Sequence, residues 1–312
     1  MRISNETMEI PDSVLSKLET EGFRAALIPF STIEQIMQIY NNYTESENAP
    51  FSTKEWFLSM QPPDIPFKPL SILVIAFQSP AGEISLIHGG KRVLLPIPPT
   101  YLDGSTVHRL GETLKSVASG YQLAEAKAVS LKLLAVLSGL GKYGRNALCY
   151  LEGYGSFCNF EAYYSDIPCS DGAHEPALMD SCASCDLCIA NCPNDALGGQ
   201  LIIDISRCLT LWNEHDSRMP DWILPGVHHA VAGCLRCQEV CPVNKSVYKS
   251  KKETLELSEA ESEALLSSSS DDLPSELIKK LLDYGLWEMF IALIGRNVRL
   301  AAVNKIALCG NA

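Results

Sequence analysis

The sequence has no apolar run long enough to span a membrane. The longest, Leu70 to Phe77, is strand-sized, against the roughly 18 residues a membrane helix needs. It has no basic surplus either: Lys and Arg number 25 against 37 Asp and Glu, a formal charge of -12 with a pI near 5.0. Nucleic-acid binders ordinarily carry cations to neutralise phosphates, so nothing global favours such a partner, although net charge says nothing about a local patch. Met1 to Glu9 holds one Arg and three acidic or amide residues, and no apolar h-region follows. No secretory signal is therefore expected, and the chain reads as cytoplasmic with no membrane partner.

Cysteine is abundant. Twelve cysteines in a reducing compartment point to metal or redox chemistry rather than to disulfides. The 312 residues, 46% hydrophobic and 20% charged, suffice for one large domain and a small one.

The first 170 residues or so have an α/β pattern. Ser31 to Glu34 matches the capping box S-x-x-E, with Ile33, Ile36, Met37 and Tyr40 continuing at helical spacing. Ser71 to Phe77 has the composition of a strand buried on both faces. Glu83 to His88 and Arg92 to Ile97 are expected to pair around Gly89-Gly90. Leu123 to Leu137 is Ala-rich at helical spacing, with Gly139 suited to close it. Asn146 to Tyr150 and Phe157 to Tyr164 follow as strands. Lys251 to Asp272 is expected to be partly helical and then a flexible linker through Ser267 to Asp272. Two or three short helices should come after it, through Leu277 and Leu282, then Phe290 and Leu293, then Val298 to Leu308.

The cysteines carry the chemistry. Cys182, Cys185, Cys188 and Cys192-Pro193 form C-x2-C-x2-C-x3-C-P, the spacing of bacterial ferredoxins, in which three thiolates wrap one corner of a cubane and the fourth ligates the other cluster. Cys234, Cys237 and Cys241-Pro242 repeat the motif with one thiol fewer, and Cys208 lies upstream to supply it. The expected sets are crossed: Cys182, Cys185, Cys188 and Cys241 for cluster one, and Cys192, Cys208, Cys234 and Cys237 for cluster two. A zinc site would use four ligands and gives no reason for eight thiols or for two C-x3-C-P endings. Cys149, Cys158, Cys169 and Cys309 fit neither motif and read as small buried hydrophobes.

Gly139 to Gly144 matches G-x-G-x-x-G, but a helix precedes it and strand-like residues follow, the reverse of a dinucleotide fingerprint. A tight turn closing the helix is one reading. Another is a flat cofactor approached by bare backbone, with Lys142, Arg145 and Asn146 meeting its polar groups.

Three stretches resemble the epoxyqueuosine reductases, cobalamin-dependent iron–sulfur enzymes. They are Ser138 to Asn146 with Gly155-Ser156 and Asp166-Ile167-Pro168; the cysteine region with Arg207-Cys208 and Gly233-Cys234 to Asn244; and Arg296-Asn297 to Gly310-Asn311. The resemblance implies an α/β, nitroreductase-like α+β N-terminal domain joined to a two-cluster ferredoxin-like domain and a short C-terminal helical segment. It divides the chain into a corrinoid-binding domain over 1–170, a double [4Fe-4S] domain over 171–250, and a linker with a helical C-terminus over 251–312. It implies an oxidoreductase that passes electrons through two [4Fe-4S] clusters to a cobalamin. The cobalamin would be bound by Gly139, Gly141, Lys142, Tyr143, Gly144, Arg145 and Asn146, and a flavodoxin- or ferredoxin-type protein would donate the electrons.

The sequence departs from the family pattern in three places. Arg145 stands where the family has Lys. The family's acidic proton donor counts back to Glu125, whose neighbours do not match, so Glu125 is either that donor or a solvated helix residue. Few residues follow Asn297, where the family has helical repeats that help hold tRNA, so tRNA is a doubtful partner and weak, salt-dependent binding or none is expected. A non-catalytic electron carrier, or a reductive activator of another corrinoid protein, is the competing function. His88, His108, His174 and His215 read as ordinary surface histidines. A supporting role beside the clusters is considered for His228-His229, and the Lys249 to Lys252 group reads as a solvated face.

Overall fold

The computed structural model describes residues 10–47, 50–60, 64–170, 172–198, 203–248, 252–267 and 273–309, with the side chains of 10–13 and 304–309 outside the description. The chain divides into two compact units. Met1–Gln78 and His108–Cys185 form the first, and Ser79–Val107 and Asp186–Ala312 the second.

The first unit is built on the strand Ser71–Gln78, whose first seven residues are all buried. Successive side chains of a strand point to opposite faces, so a continuous apolar run must be covered on both. Ile72, Val74 and Ala76 pack with Ile36 and Tyr40 of the helix Thr32–Glu45 and with Leu133 to Leu137 of the helix Leu131–Leu137. Phe77, on the opposite face, meets Phe23 edge to face at 6.1 Å. Burial of each such large side chain contributes roughly 1.5–3 kcal/mol. The four-stranded sheet runs Arg24–Pro29, Ser71–Gln78, Cys158–Ser165, Leu123–Glu125, and every pairing is antiparallel. Ser71 Oγ fixes the register at one end, bonding Ser165 Oγ at 2.6 Å and donating to the Ile167 carbonyl at 2.8 Å. The Asp166 carboxylate accepts from the Gln122 backbone N–H at 2.9 Å, which ties the Asp166-Ile167-Pro168 turn to the start of the edge strand.

Two local expectations are corrected here. Leu123 to Leu137 is not one helix: Leu123–Glu125 pairs with Tyr163 to Ser165 at the sheet edge. The helix begins only at Leu131, where Ser130 Oγ accepts from the Leu133 N–H. A sheet edge with free hydrogen-bonding groups and a serine cap together override helical propensity. The Ser31 capping box is not formed either, because Ser31 is itself in the helical region and makes no side-chain cap bond.

The second unit contains the hairpin Gly82–His88 and Lys91–Ile97, turned by Gly89 and Gly90 at φ +58° and +73°, as a two-residue turn requires. A third short strand, Leu255–Glu256, joins it in parallel. The helices Glu259–Ser267, Ser275–Tyr284 and Glu288–Cys309 bury Leu265, Leu281 and Ile294 with Ile84, Leu86 and Leu95 of the hairpin. This shared core is why residues 79–107 group with residues 186–312, so the compact units differ from the linear division into 1–170, 171–250 and 251–312. The terminal residues form one 22-residue helix after Ser275–Tyr284, not a series of short ones. Residues 268–272 and 249–251, where the linker and most of the lysine group fall, lie outside the described residues. No helix among the described residues is long and apolar enough to cross a membrane.

Candidate iron–sulfur centre

Each cysteine motif contains a one-turn helix, which carries Cys188 in the first and Cys237 in the second. Leu187–Ala190 leads to Cys192, and Arg236–Glu239 leads to Cys241. The two short helices pack against each other within the second unit. Each ends before C-P, since proline cannot continue the helical bonding. Cys182 and Cys185 belong to the first unit and the other six motif cysteines to the second.

The four thiols expected for cluster two are held by different devices. Cys192 Sγ lies 3.2 Å from the Ala196 N–H, which aims a donor at the sulfur. Such bonds favour thiolate and tune iron–sulfur centres. Cys208 sits between the 3-10 turn Ile205–Arg207 and the helix Leu209–Glu214. The Asp204 carboxylate caps that turn by accepting from the Ser206 N–H at 3.1 Å. Arg207 Nε donates to the Asn194 carbonyl at 2.7 Å, so the segments carrying Cys192 and Cys208 are bonded together. Cys234 is partly exposed by area, yet enough protein lies over its sulfur that burial pushes the thiol up to about 12, and Cys208 and Cys192 are near enough to add to the rise. A thiol in that setting keeps its proton until a metal displaces it. Among the described residues no three His, Cys, Asp or Glu side chains are closed around one ion.

Sequence reasoning missed the support that comes from the hairpin and its exit. Tyr101, 5% exposed, donates its hydroxyl to Glu214 Oε1 and lies near Cys208 and Cys234. Burial first, and then the Glu214 charge, raise its phenol well above the ordinary range. Gly233, at φ +54°, abuts the Tyr101 hydroxyl so closely that a Cβ there would collide with it. No periodicity or motif marks Tyr101, because its neighbours in space lie more than 100 residues away. His229, considered for a supporting role, bonds the backbone next to Cys234. Its Nε2 accepts from the Leu235 N–H at 3.3 Å, which puts the proton on Nδ1, 3.0 Å from the Val227 carbonyl. His228 is buried, and desolvation pushes it down to about 4.

The glycine segment behaves differently from the expectation of an open backbone face. A Cβ on Gly139 would lie 2.7 Å from His174 Nε2, one on Gly141 2.5 Å from Cys149 Sγ and 2.8 Å from the Tyr150 carbonyl, and one on Gly144 2.5 Å from the Tyr150 ring. Those faces are filled by protein. The polar groups are engaged as well. Asn146 Nδ2 donates to Tyr150 Oη at 3.0 Å. Arg145 Nη1 donates at 3.1 Å to the carbonyl of Cys185, a motif cysteine. Lys142 lies 3.9 Å from Asp180 across an exposed surface. The Tyr143 backbone bonds Ala177 and Met179 at 2.8 Å each, and burial carries its phenol above the usual range. The segment thus packs on residues 177–185, the approach to the first motif. It does not present a glycine cradle that fits a corrin ring.

Glu125 is on a strand, not a helix. Its side chain is 56% exposed and pairs with Lys127 at 3.1 Å, and it lines a shallow cavity of about 320 Å³ with Tyr163 and Tyr121. The burial that a proton-donating carboxyl calls for is absent there. Cys149 and Cys158 lie in the core, with the Cys149 thiol pushed up to about 12 by desolvation and Cys158 also raised. Cys169 is partly exposed, and the Cys309 side chain is outside the described residues.

Eight cysteines at ferredoxin spacing, in a chain that also carries an α+β unit, point to a double-cluster iron–sulfur protein. Residues 181–244 match the family model of the 4Fe-4S double cluster binding domain. The curated relatives are epoxyqueuosine reductases. That of Francisella cf. novicida is 30% identical over 142 residues, 44% of this chain and 39% of the relative. That of Staphylococcus aureus is 25% identical over 243 residues, 74% of this chain and 62% of the relative. The chain therefore matches less than two thirds of the length of either. A solved epoxyqueuosine reductase from Bacillus subtilis superposes with a TM-score of 0.64 at 19% identity, over 96% of this chain and 82% of that one. A crystal structure of an epoxyqueuosine reductase with a modified tRNA stem loop superposes with a TM-score of 0.63 at 19% identity and the same coverage. The chain is similar to the epoxyqueuosine reductases in sequence over part of their length and shares their fold.

Proposed function

We propose that this chain is an iron–sulfur oxidoreductase of the epoxyqueuosine reductase type. The observation that carries the proposal is the match of residues 181–244 to a double-cluster domain. The ligand sets are those of the crossed assignment, Cys182, Cys185, Cys188 and Cys241 with Cys192, Cys208, Cys234 and Cys237. The proximity of Cys234 to both Cys208 and Cys192 supports the second set. Two [4Fe-4S] clusters supply one-electron chemistry when bound. The chain's own contribution is to orient the thiols: Ala196 N–H at Cys192, Arg207 across Asn194, His229 at Leu235, and Arg145 at the carbonyl of Cys185.

A corrinoid as electron acceptor is the finer part of the proposal. It rests on the resemblance of Ser138 to Asn146 and of Asp166 to Pro168, not on the glycine geometry, and no proton is assigned to Glu125. A tRNA substrate, doubtful from the sequence, is raised again by the solved epoxyqueuosine reductase with a modified tRNA stem loop, and a flavodoxin- or ferredoxin-type donor comes from the sequence resemblance. The test is anaerobic reconstitution with iron, sulfide and cobalamin, followed by metal counting, a cobalamin titration and an epoxyqueuosine turnover assay with tRNA. About eight irons per chain are expected. Zinc in place of iron would overturn the proposal. Iron without cobalamin uptake would favour the electron-carrier or activator function suggested by the acidic surface.

A further inference from the structure

The pair Arg296-Asn297 lies in the middle of the helix Glu288–Cys309, far along the chain from every motif cysteine. One face of that helix is fixed in the core of the second unit by Ile294, Val298 and Ala301. Asn297, 1% exposed, donates from Nδ2 to the Asn213 carbonyl at 2.8 Å. Asn213, fully buried, donates from its own Nδ2 to the Gly233 carbonyl at 2.7 Å. Gly233 immediately precedes Cys234. Beside this relay, Arg296 donates to three carbonyls of the segment after Cys208: Trp212 at 2.8 Å, His215 at 2.8 Å and Ser217 at 3.1 Å. Its Nε donates to Asn297 Oδ1 at 3.2 Å, which locks the two side chains together. The planar guanidinium fork can serve several acceptors at once, where lysine offers a single point charge.

The geometry points to Arg296 and Asn297 as positioning residues for cluster two. They act through Asn213 and Gly233 on the Cys234 ligand loop and through Trp212 to Ser217 on the segment that follows Cys208. This rests on the proposed ligand set Cys192, Cys208, Cys234 and Cys237. The physical reason is closure of the loop on both sides. Tyr101 occupies the space beside Gly233, and the Asn213 amide holds its carbonyl. Cys234 would thus be presented to cluster two in one orientation, with limited access for water. Outer hydrogen bonds and solvent access are the protein's principal controls on cluster potential. Loosening this clasp admits water, which favours the more negatively charged reduced cluster and moves the potential upward.

The experiment uses the full chain, reconstituted anaerobically, as wild type, Asn297→Ala and Arg296→Lys. Iron and sulfide are counted before and after exposure to a chelator, and both cluster potentials are read by EPR-monitored titration. Cys208→Ser identifies which signal belongs to cluster two. In Asn297→Ala the cluster-two potential is expected to rise, and chelator-resistant iron to fall from about eight toward about four per chain, with the cluster-one signal unmoved. Arg296→Lys should move the same quantities less, and it carries the test if Asn297→Ala does not fold. Wild-type values for both variants would overturn the inference, as would equal shifts of both clusters, which mean general loosening. A wild-type chain that forms no [4Fe-4S] signal would overturn the proposed function as well.

Discussion

Gly139 to Gly144 and Gly233 to Cys241 are both short, glycine-containing segments, yet their glycines serve different ends. In the first, the hydrogen faces of Gly141 and Gly144 meet Cys149, Tyr150 and Asn146, so the missing side chains let two pieces of backbone pack together. In the second, Gly233 at φ +54° abuts Tyr101 and offers its carbonyl to Asn213, and the next residue is a candidate ligand. A glycine pattern thus marks close approach without saying what approaches. A cysteine pattern says more, because thiols at C-x2-C-x2-C have few other uses.

The strongest test of the contrast is Cys208→Ser. It should remove about four of about eight irons and leave the other cluster's EPR signal in place. Retention of all the iron would mean that another thiol supplies the fourth ligand. Next in size is Gly141→Leu. Overpacking against Cys149 and the Tyr150 backbone should destabilise the chain by roughly 1–3 kcal/mol or more. The loss should appear as a lower melting temperature without cobalamin present, while the folded fraction keeps its iron. A normal melt with loss of cobalamin binding would restore the flat-cofactor reading of the segment. Cys149→Ala should cost about 1 kcal/mol of packing and leave the iron content unchanged. Loss of a cluster in this variant would show that the ligand set is wrong. The smallest effect is expected for Lys142→Ala, whose exposed pair with Asp180 at 3.9 Å should contribute under about 1 kcal/mol to stability, read as a small or absent shift of the urea unfolding midpoint.

Much of the local structure was legible. Ser71–Gln78 and the hairpin turned by Gly89-Gly90 follow from β-branched runs and paired glycines. Errors arose where a distant partner competed with a local preference. Leu123 to Glu125 has helical spacing but lies beside Tyr163 to Ser165, and the sheet's unpaired backbone groups claimed it. The same change of element left Glu125 on an exposed edge. Arg145 was expected to meet a ligand's polar groups, and its guanidinium reaches the carbonyl of Cys185 instead.

By itself the sequence determined the ligand chemistry, because the spacing of Cys182 to Cys192 and of Cys234 to Cys241 is a local property of short turns ended by proline. It also determined the buried central strand, because an apolar run of that length has to be covered on both faces. Only the tertiary structure decided that residues 79–107 share a core with the C-terminal helices, that Tyr101 and Asn213 close on Gly233, and that Asn297 reaches them. Apart from Asn213 and Gly233, which are 20 positions apart, those contacts join residues 84 or more positions apart. No local pattern encodes them, because they exist only after the hairpin, the cysteine loops and the last helix have buried their apolar faces together.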